Sequence, residues 1–542
     1  MTITLRFCGA TRTVTGSCFF VRTPKCNFLV DCGLFQGHKT LKELNYRPFP
    51  FDPSLIDFVL QTHAHIDHAG LLPKLWKSGF TGPVFMTRGT KDLLSFMLPD
   101  SGHIQEMDVE NLNRRYAQRG KAQVVPIYTQ EDAEACQDNF RTVEYLDWTE
   151  VGEGVRVRYW NAGHILGSAS IEIEIATGHD DQRLLRLLFS GDIGPEHKLF
   201  QPDPDAPANF DYVICESTYG NRKRTRATAD ERRALLARIV KEALRGDRIL
   251  LLPLFAVERT QEIIADLTRL QQSGAIPRVP IFLDSPLAIR ITKVFQKHAQ
   301  ELEELDIRPS LLTNPNIRFT ETADESKAID RVSGGAILMA ASGMCDAGRI
   351  RHHLKRWLWT DKATVLLTGY QAQGTLGRLL VDGVEAVIIQ GDAVKVRANI
   401  VQTDLYSGHA DSVELVDWIR RRQPINRALF LIHGEDEEIN ALRDEIVQGG
   451  MPEDRVIAPV LDDELELLAN GLGSRPKPVP RRLSPEVVSR ADWHNELAQF
   501  TLDLREQFER AADDRSRGIL MRRLRRALED KLADSIEEPK NR

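Results

Sequence analysis

Short apolar blocks separated by turn residues fill the first part of the chain, up to about residue 220. Apolar runs of about four to eight residues that are bounded by turn residues predict buried β-strands. The strands predicted in this way are "TITLRFCGA", "CFFVRT", "NFLVDCG", "LIDFVLQT", "LLRLLFSGDIG" and "FDYVICESTYG". Between them, "AGLLPKLWKSG" has the pattern of a helix, and we predict that this helix ends at Gly79.

From about Thr228 the pattern changes to an alternation of helices and strands. The segments "ADERRALLARIVKEALRGD" and "ERTQEIIADLTRLQQSG" have the periodicity of helices. The segments that read as buried strands are "RILLLPLF", "VPIFLDSP", "GAILMAASGM" and "KATVLLTGY". Strands that alternate with helices predict βαβ units and a mostly parallel sheet. A last apolar strand, "RALFLIHGE", reaches His433 at its end.

The C-terminal part of the chain predicts a linker followed by helices. Pro476, Pro478 and Pro480 indicate an extended linker, and Ser484 before Pro485 favours a helix start. One helical face then carries Trp493, Leu497, Phe500, Leu504 and Phe508. A second, arginine-rich helix carries Leu520, Leu524, Leu528 and Leu532. A docked or self-associating helix, and hence a homo-oligomer, is the first interpretation of this tail; RNA contact is the second.

Composition narrows the class of protein. The 542 residues are 42% hydrophobic and 27% charged, which is typical of a globular chain of several domains. Seven scattered cysteines form no C-x-x-C pair, the N-terminus has no secretory signal, and no apolar run reaches the roughly 18 residues of a membrane span. We therefore expect a cytoplasmic protein with no membrane contact. The net charge of −7 gives no support to nucleic-acid binding, but it is compatible with a local basic groove.

Candidate metal chemistry is concentrated in "QTHAHIDHAG", residues 61–70. His63 and His65 are two residues apart, so in an extended segment their side chains point the same way and can converge on one ion. Asp67 and His68 follow as the chain turns, and they can face a second position beside the first. Imidazole and carboxylate ligands without thiolate suit catalytic zinc.

A site with two metal ions needs further ligands, and three residues in similar settings are candidates. His164 lies in "NAGHILGSAS", Asp192 in "FSGDIG" and His433 in "LIHGE". Asp192 and His433 each follow an apolar strand. Asp192 is the natural bridge, because a carboxylate has one oxygen for each ion.

These motifs together resemble a known family. "THAHIDHAG" resembles the H-x-H-x-D-H signature of the metallo-β-lactamase superfamily, and three further motif residues follow its order: Asp31, His164 and Asp192. "ESTYG", "SGHAD" and "IHGE" resemble the additional motifs of its β-CASP nuclease branch, through three residues: Glu216, His409 and His433. The resemblance covers roughly residues 1–470. A histidine at position 433 resembles the last motif of the RNA-acting members. The polyadenylation-factor endonuclease type is resembled by Glu216 and by the segments "ASGM" and "GYQAQGTLGR". A prokaryotic relative of that type is therefore expected.

The resemblance implies an α/β fold, an αββα metallo-β-lactamase sandwich with an inserted β-CASP domain that has a parallel sheet flanked by helices. The implied division has four parts: the first part of the metallo-β-lactamase domain at 1–215, the β-CASP domain at 216–403, the second part of the metallo-β-lactamase domain at 404–472, and a linker with a helical tail at 473–542.

The resemblance also implies roles for the site residues. Two zinc ions are expected, the first held by His63, His65, His164 and Asp192, and the second by Asp67, His68, Asp192 and His433. Asp31 would orient the histidine loop, Asp67 would also orient a bridging hydroxide, and His409 would act as general acid beside Glu216. The expected reaction is hydrolysis of single-stranded RNA that leaves 5′-phosphate and 3′-hydroxyl ends. Ser342, Arg378 and the basic run "NRKRTR" at 221–226 are candidate phosphate contacts.

Three alternatives stay open at this stage. A hydrolase of another ester would not need the inserted domain, and a DNA nuclease would share the metal site. A non-catalytic RNA-binding subunit is disfavoured, because every ligand position is filled. Endonuclease and exonuclease modes are not distinguished by these motifs.

Overall fold

The structure is a computed structural model that describes most of residues 3–472 and parts of the tail. The gaps in 3–472 are 38, 119, 178–183, 225–227, 299–308, 372–373 and 469–470. In the tail, the described residues are 480–484, 488, 504, 507–508, 510–511 and 513–534. Most of the proposed helix from Trp493 to Phe508 and most of the proline linker therefore lie outside the described residues.

Two mixed sheets face each other and form the central layers, with strands numbered here in chain order. The first sheet, in spatial order, has β23 (Gly471–Leu472), β22 (Glu464–Leu468), β1 (Ile3–Phe7), β2 (Phe19–Arg22), β3 (Asn27–Val30), β4 (Phe58–Leu60), β5 (Val84–Thr87) and β6 (Phe140–Val143). The second has β21 (Val456–Ile457), β20 (Ile425–Ile432), β11 (Phe210–Glu216), β10 (Leu184–Phe189), β9 (Ala169–Ala176), β8 (Val155–Asn161) and β7 (Thr149–Gly152).

Aromatic side chains close the space between these two sheets. The ring of Phe7 on β1 lies 5.2 Å from that of Phe430 on β20, and the ring of Phe19 on β2 lies 5.7 Å from that of Phe189 on β10. All four side chains are buried. Removing such large apolar surfaces from water is a main source of folding free energy, so this interior holds the sandwich together.

Helices cover both outer faces of the sandwich. Three pack on the first sheet: α3 (Leu72–Lys77), α4 (Arg88–Ala117) and α5 (Gln130–Ala135), after the short α1 (Lys39–Leu44) and α2 (Ile66–Ala69). On the second sheet lie α12 (Ser412–Arg421) and α13 (Asp436–Gln448). This layering confirms the predicted αββα sandwich. Helix α3 ends at Lys77, two residues before the predicted Gly79, whose positive φ of 107° suits the turn that follows.

The segment of the chain that follows β11 and precedes β20 in the sequence forms a third sheet, which is a separate layer. In spatial order it has β14 (Ile317–Phe319), β13 (Ile281–Leu283), β15 (Ala336–Ala340), β12 (Ile249–Pro253), β16 (Ala363–Leu367) and β19 (Asn399–Gln402). Every neighbouring pair is parallel, as predicted. A hairpin of β17 (Ala386–Ile389) and β18 (Asp392–Lys395) stands beside it.

The helices of this layer are α6 (Ala229–Ala243), α7 (Arg259–Gln272), α8 (Pro286–Lys297), α9 (Ala323–Ala328), α10 (Ile350–Trp357) and α11 (Leu376–Val381). We call residues 229–402 the inserted domain. The mixed α/β fold with an insertion is thus confirmed, while the four-part division into 1–215, 216–403, 404–472 and 473–542 stays a prediction.

Three smaller features concern the described part of the chain. All seven cysteines are buried and form no disulfide, and no described helix has the length and apolar character that a membrane crossing requires. The predicted arginine-rich helix is present as α14 (Asp514–Asp534).

Candidate metal centre

Strand ends bring the predicted ligands to one edge of the sandwich. Strand β4 leads into the histidine loop, and the turn between β8 and β9 carries His164. Strands β10, β11 and β20 are parallel neighbours, so their carboxyl ends meet at the same edge. Asp192 comes shortly after β10, Glu216 is the last residue of β11, and His433 comes directly after β20. Residues that are far apart in the sequence therefore converge there.

The first group of ligand atoms consists of three imidazole nitrogens and one carboxylate oxygen. Nδ1 of His65 lies 3.2 Å from Nε2 of His63 and 3.1 Å from Nε2 of His164. Oδ2 of Asp192 lies 3.5 Å from Nε2 of His63 and 3.6 Å from Nε2 of His164. These four residues are the predicted first set.

The second group lies beside the first and uses the other oxygen of Asp192. Nε2 of His68 is 3.1 Å from Nε2 of His433 and 3.2 Å from Oδ1 of Asp192. Oδ2 of Asp67 is 3.4 Å from Nε2 of His433. The structure thus brings together all seven predicted ligands, with Asp192 between the two groups.

The geometry and chemistry of these atoms fit two metal ions. A tetrahedral zinc ion with bonds of about 2.0–2.1 Å has ligand-to-ligand edges of roughly 3.3 Å, and the measured separations are close to that length. Oδ1 of Asp192 is buried and has no hydrogen-bond donor among the described residues. A buried acceptor without a partner is costly, and a cation at the second group would satisfy it.

Hydrogen bonds fix the imidazole tautomers in the form that metal binding requires. Nδ1 of His164 lies 2.7 Å from the carbonyl oxygen of Gly408, which can only accept, so this nitrogen carries the proton. Nδ1 of His433 lies 2.9 Å from Oγ1 of Thr218, whose hydroxyl donates to the His433 carbonyl oxygen. Nε2 of each ring therefore presents a lone pair to its group, as histidine ligands do. Thr218 and Gly408 were not among the predicted site residues.

Asp31, for which an orienting role is predicted, contacts the histidine loop through both carboxylate oxygens. Its Oδ2 accepts from Nδ1 of His68 at 2.7 Å and from the hydroxyl of Thr62 at 2.8 Å. Its Oδ1 accepts from the Thr62 backbone N–H and from the side chain of Gln61. Thr62 in turn contacts Nδ1 of His63 at 3.0 Å. Gln61 and Thr62 were not predicted, although they stand directly before the first histidine.

Burial and the neighbouring charges shift the pKa values of these groups. Burial lowers the pKa of His65 to about 4, and it lowers the pKa of His63 and His164 well below the ordinary value. Burial acts to raise the pKa of Asp192, but the facing histidines, His433 and His68 first, hold it well below its usual range. The first group is thus a set of neutral imidazoles facing a carboxylate, which is the protonation state that binds a cation.

The predicted acid pair lies next to this centre. Nδ1 of His409 is 3.2 Å from both carboxylate oxygens of Glu216 and 3.9 Å from Oδ2 of Asp192. Glu216 is fully buried and also accepts the backbone N–H of Ile193 at 2.5 Å. The His409 side chain keeps 17% of its surface exposed, so it reaches the solvent side of the centre.

Arg222 and Arg224 of the basic run at 221–226 lie near this pair. The Arg222 guanidinium lies 5.4 Å from the ring centroids of Tyr219 and Tyr370. The Arg224 guanidinium donates to the carbonyl oxygen of His409 at 2.7 Å. Tyr219 also stacks edge-on to His409 at 6.0 Å. Arg226 lies outside the described residues.

The two other predicted substrate contacts remain predictions. Ser342 is half-buried, and its carbonyl oxygen accepts the backbone N–H of Cys345. Nε of Arg378 makes an ion pair with Asp382 at 2.9 Å, so this side chain already has an acidic partner.

Three segments of the chain match known protein families, in the order in which the sequence motifs occur. Residues 11–251 match the family model of the metallo-beta-lactamase superfamily, residues 260–380 that of the Beta-Casp domain, and residues 393–459 that of the Zn-dependent metallo-hydrolase RNA specificity domain.

The chain is also similar in sequence to curated proteins. The chain is 36% identical over 440 residues to Ribonuclease TTHA0252 of Thermus thermophilus, covering 80% of this chain and 94% of that protein. It is 29% identical over 443 residues to Transcription termination factor FttA of Methanosarcina mazei, covering 79% of this chain and 66% of that protein. It is 29% identical over 456 residues to Endoribonuclease YSH1 of Eremothecium gossypii, covering 81% of this chain and 56% of that protein.

Proposed function

This chain belongs to the β-CASP branch of the metallo-β-lactamase superfamily, and on that premise we propose that it is a zinc-dependent ribonuclease. It hydrolyses phosphodiester bonds of single-stranded RNA and leaves 5′-phosphate and 3′-hydroxyl ends. The observation that carries the proposal is the position of the His409–Glu216 pair, 3.9 Å from the carboxylate that joins the two ligand groups. A proton donor beside a two-metal site is the arrangement that phosphodiester hydrolysis needs.

The ligand groups divide as their distances indicate. His63, His65, His164 and Asp192 would hold one ion, and Asp67, His68 and His433, with Asp192 beside them, would hold the other. When bound, the two ions supply a hydroxide nucleophile at neutral pH and offset the charge on the phosphate. Asp67 is the most exposed carboxylate of the set, with 20% of its side chain accessible, so it is placed to orient the nucleophile as well.

His409 protonates the leaving 3′-oxygen. Its Nδ1 is held by the Glu216 carboxylate, which leaves Nε2 as the nitrogen that faces a substrate. Histidine is the side chain that most often serves as a general acid in enzymes. Glu216 itself is held by the Ile193 and Thr218 backbone N–H groups, so the pair is rigid before substrate binds.

RNA is the substrate that best fits the surroundings of this pair. Tyr219 and Tyr370 present aromatic rings beside the Arg222 guanidinium. Both rings are buried, so they support the Arg222 guanidinium from below, and guanidinium groups bind phosphate. The curated relatives named as ribonucleases support the same choice. Ser342 and Arg378 are proposed as more distant phosphate contacts.

Cleavage of a 5′-labelled single-stranded RNA, in parallel with the DNA of the same sequence, tests this proposal. The zinc-loaded protein is expected to cut the RNA, and the downstream products should carry a 5′-phosphate that a phosphatase removes. Preferred cleavage of DNA, or downstream products with a 5′-hydroxyl, would contradict it.

A further inference from the structure

Glu258 has a backbone conformation that is unusual for a residue with a side chain. It caps the N-terminus of α7 in the inserted domain with φ 66° and ψ −62°, and it is 2% exposed. Residues other than glycine rarely adopt positive φ, and such strain persists only where surrounding contacts over-determine it. The contacts of the Glu258 carboxylate therefore need an explanation.

Those contacts all cross from the inserted domain to the sandwich. Oε2 of Glu258 accepts the backbone N–H of Leu166 at 3.1 Å, and the Gln201 side chain donates to both carboxylate oxygens at 3.1 Å. Nζ of Lys198 lies 3.5 Å from Oε1. Nζ of Lys198 also donates to the carbonyl oxygen of His164. Glu258 thus reaches the His164 loop twice, once through Leu166 and once through Lys198.

The His164 loop is otherwise fixed from within the sandwich. Oγ of Ser168 accepts the backbone N–H groups of His164 and Ile165, and the hydroxyls of Thr87 and Thr90 donate to the Gly167 carbonyl oxygen. These bonds hold the end of the loop. Glu258 supplies the contact from the opposite side, at Leu166 and at the lysine that holds the His164 carbonyl.

The strained backbone and the buried ion pair of Glu258 are not explained by a contribution to stability. Burial raises the pKa of Glu258 to about 7, against the opposing effect of Lys198, and the Lys198 side chain is only 4% exposed. A buried ion pair is weak evidence for stability, since apolar residues of similar volume often serve as well. A strained backbone and a buried ion pair at one residue next to a ligand loop point to a requirement of the site.

We propose that Glu258 is a positioning residue that ties the inserted domain to the loop carrying His164 and so holds this imidazole in its ligand geometry. The inference rests on the proposed function in one respect: it takes the two ligand groups to bind zinc. Glu258 acts through Leu166 and Lys198, without touching substrate.

Zinc affinity of the full chain, measured without RNA by competition with a chromophoric zinc chelator, tests this role. Glu258→Gly and Glu258→Ala are each expected to raise the zinc Kd about 10-fold or more, since loss of partners that orient a ligand typically costs 10- to 100-fold. Glu258→Gln should recover part of the affinity, because its amide oxygen can still accept the Leu166 N–H. On RNA, kcat should fall while KM changes little.

Asp100→Asn is the matched control. Asp100 on α4 pairs with Arg290 on α8 at 3.2 Å, so this variant breaks another contact between the inserted domain and the sandwich that does not reach the His164 loop. Its zinc Kd should equal that of the wild type. A wild-type zinc Kd in Glu258→Gly and Glu258→Ala, whatever their thermal stability, would overturn the proposal, and so would an equal loss of affinity in Asp100→Asn. Zinc binding without RNA cleavage by the wild type would instead count against the proposed function alone.

Discussion

Asp192 faces both ligand groups with one carboxylate. Oδ2 lies among His63, His65 and His164, and Oδ1 lies next to His68. The sequence predicts Asp192 as the bridge because a carboxylate has one oxygen for each ion, and its position between the two groups is compatible with that prediction. The residues that orient the imidazoles could not be assigned in this way. The Gly408 carbonyl that holds His164 is 244 positions away along the chain, and a backbone carbonyl has no sequence signature.

Thr218→Val tests the orienting role of a residue that the sequence did not reveal. Removing the hydroxyl frees Nδ1 of His433, so its ring should lose its fixed tautomer and the second group should bind zinc about 10- to 100-fold more weakly. Zinc titration of the metal-free protein measures this loss. Ser217→Ala is the matched control, because Oγ of Ser217 is buried beside it without a hydrogen-bond partner among the described residues. Equal zinc affinity in both variants would refute the role.

At the scale of elements, strands were easier to predict than long polar helices. Strands β4, β10, β11 and β20 are mostly apolar, so pattern and structure agree for them. Helix α4, with 30 residues, was not predicted. After Leu98 its sequence is mostly polar, and tertiary packing of a few side chains stabilises it without a continuous apolar stripe. The positive φ of Glu258 was equally invisible, because α7 looks like an ordinary helix in the sequence.

Asp284, which follows β13, connects several elements of the inserted domain. Its Oδ2 accepts from His353 on α10 and from Ser326 on α9, each at 2.7 Å, and its Oδ1 accepts from Arg349 at 2.8 Å. Burial acts to raise the pKa of Asp284, but the hydrogen bonds from His353, Ser326 and Arg349 lower it to about 2. A depressed pKa in the folded state means that the ionised carboxylate stabilises the fold above its unfolded value of about 3.9.

Asp284→Asn should therefore lower the free energy of unfolding by about 2–4 kcal/mol at pH 7, because it leaves buried donors without their charged partner. The difference from the wild type should shrink as the pH falls from about 4 to about 2, where the wild-type carboxyl also becomes neutral. Denaturant unfolding at several pH values measures both effects. Asp324→Asn, at an exposed ion pair, should change little, and a pH-independent difference for Asp284→Asn would contradict the assignment.

The whole molecule combines a negative net charge of −7 with a local surface suited to RNA. Arg222 and Arg224 lie around the acid pair, while carboxylates that add to the negative balance converge at the ligand groups. The net charge alone gave no support to nucleic-acid binding but was compatible with a local basic groove, and these two arginines are local basic groups of that kind. Bound cations would offset the charge of the carboxylates of the centre, Asp67 and Asp192.

Metal removal should therefore destabilise the entire sandwich. The predicted ligands come from both central sheets, so the proposed zinc ions are expected to bind the folded chain and not the unfolded one. At a free zinc concentration of one hundred times its Kd, binding at one site raises the free energy of unfolding by about 2.7 kcal/mol. The thermal midpoint should fall after chelation and recover on addition of zinc, but not of magnesium, which prefers oxygen ligands. An unchanged midpoint after complete zinc removal would contradict a site shared between the sheets.

The most direct test is zinc content and RNA cleavage, compared in the wild type and His409→Ala. About two zinc ions per chain are expected in both proteins, since His409 belongs to neither ligand group. Cleavage of a 5′-labelled single-stranded RNA should fall by about 10²–10⁴-fold in the variant, the usual contribution of a general acid. Loss of zinc in His409→Ala would make His409 a ligand, and two zinc ions without RNA cleavage by the wild type would contradict the ribonuclease assignment.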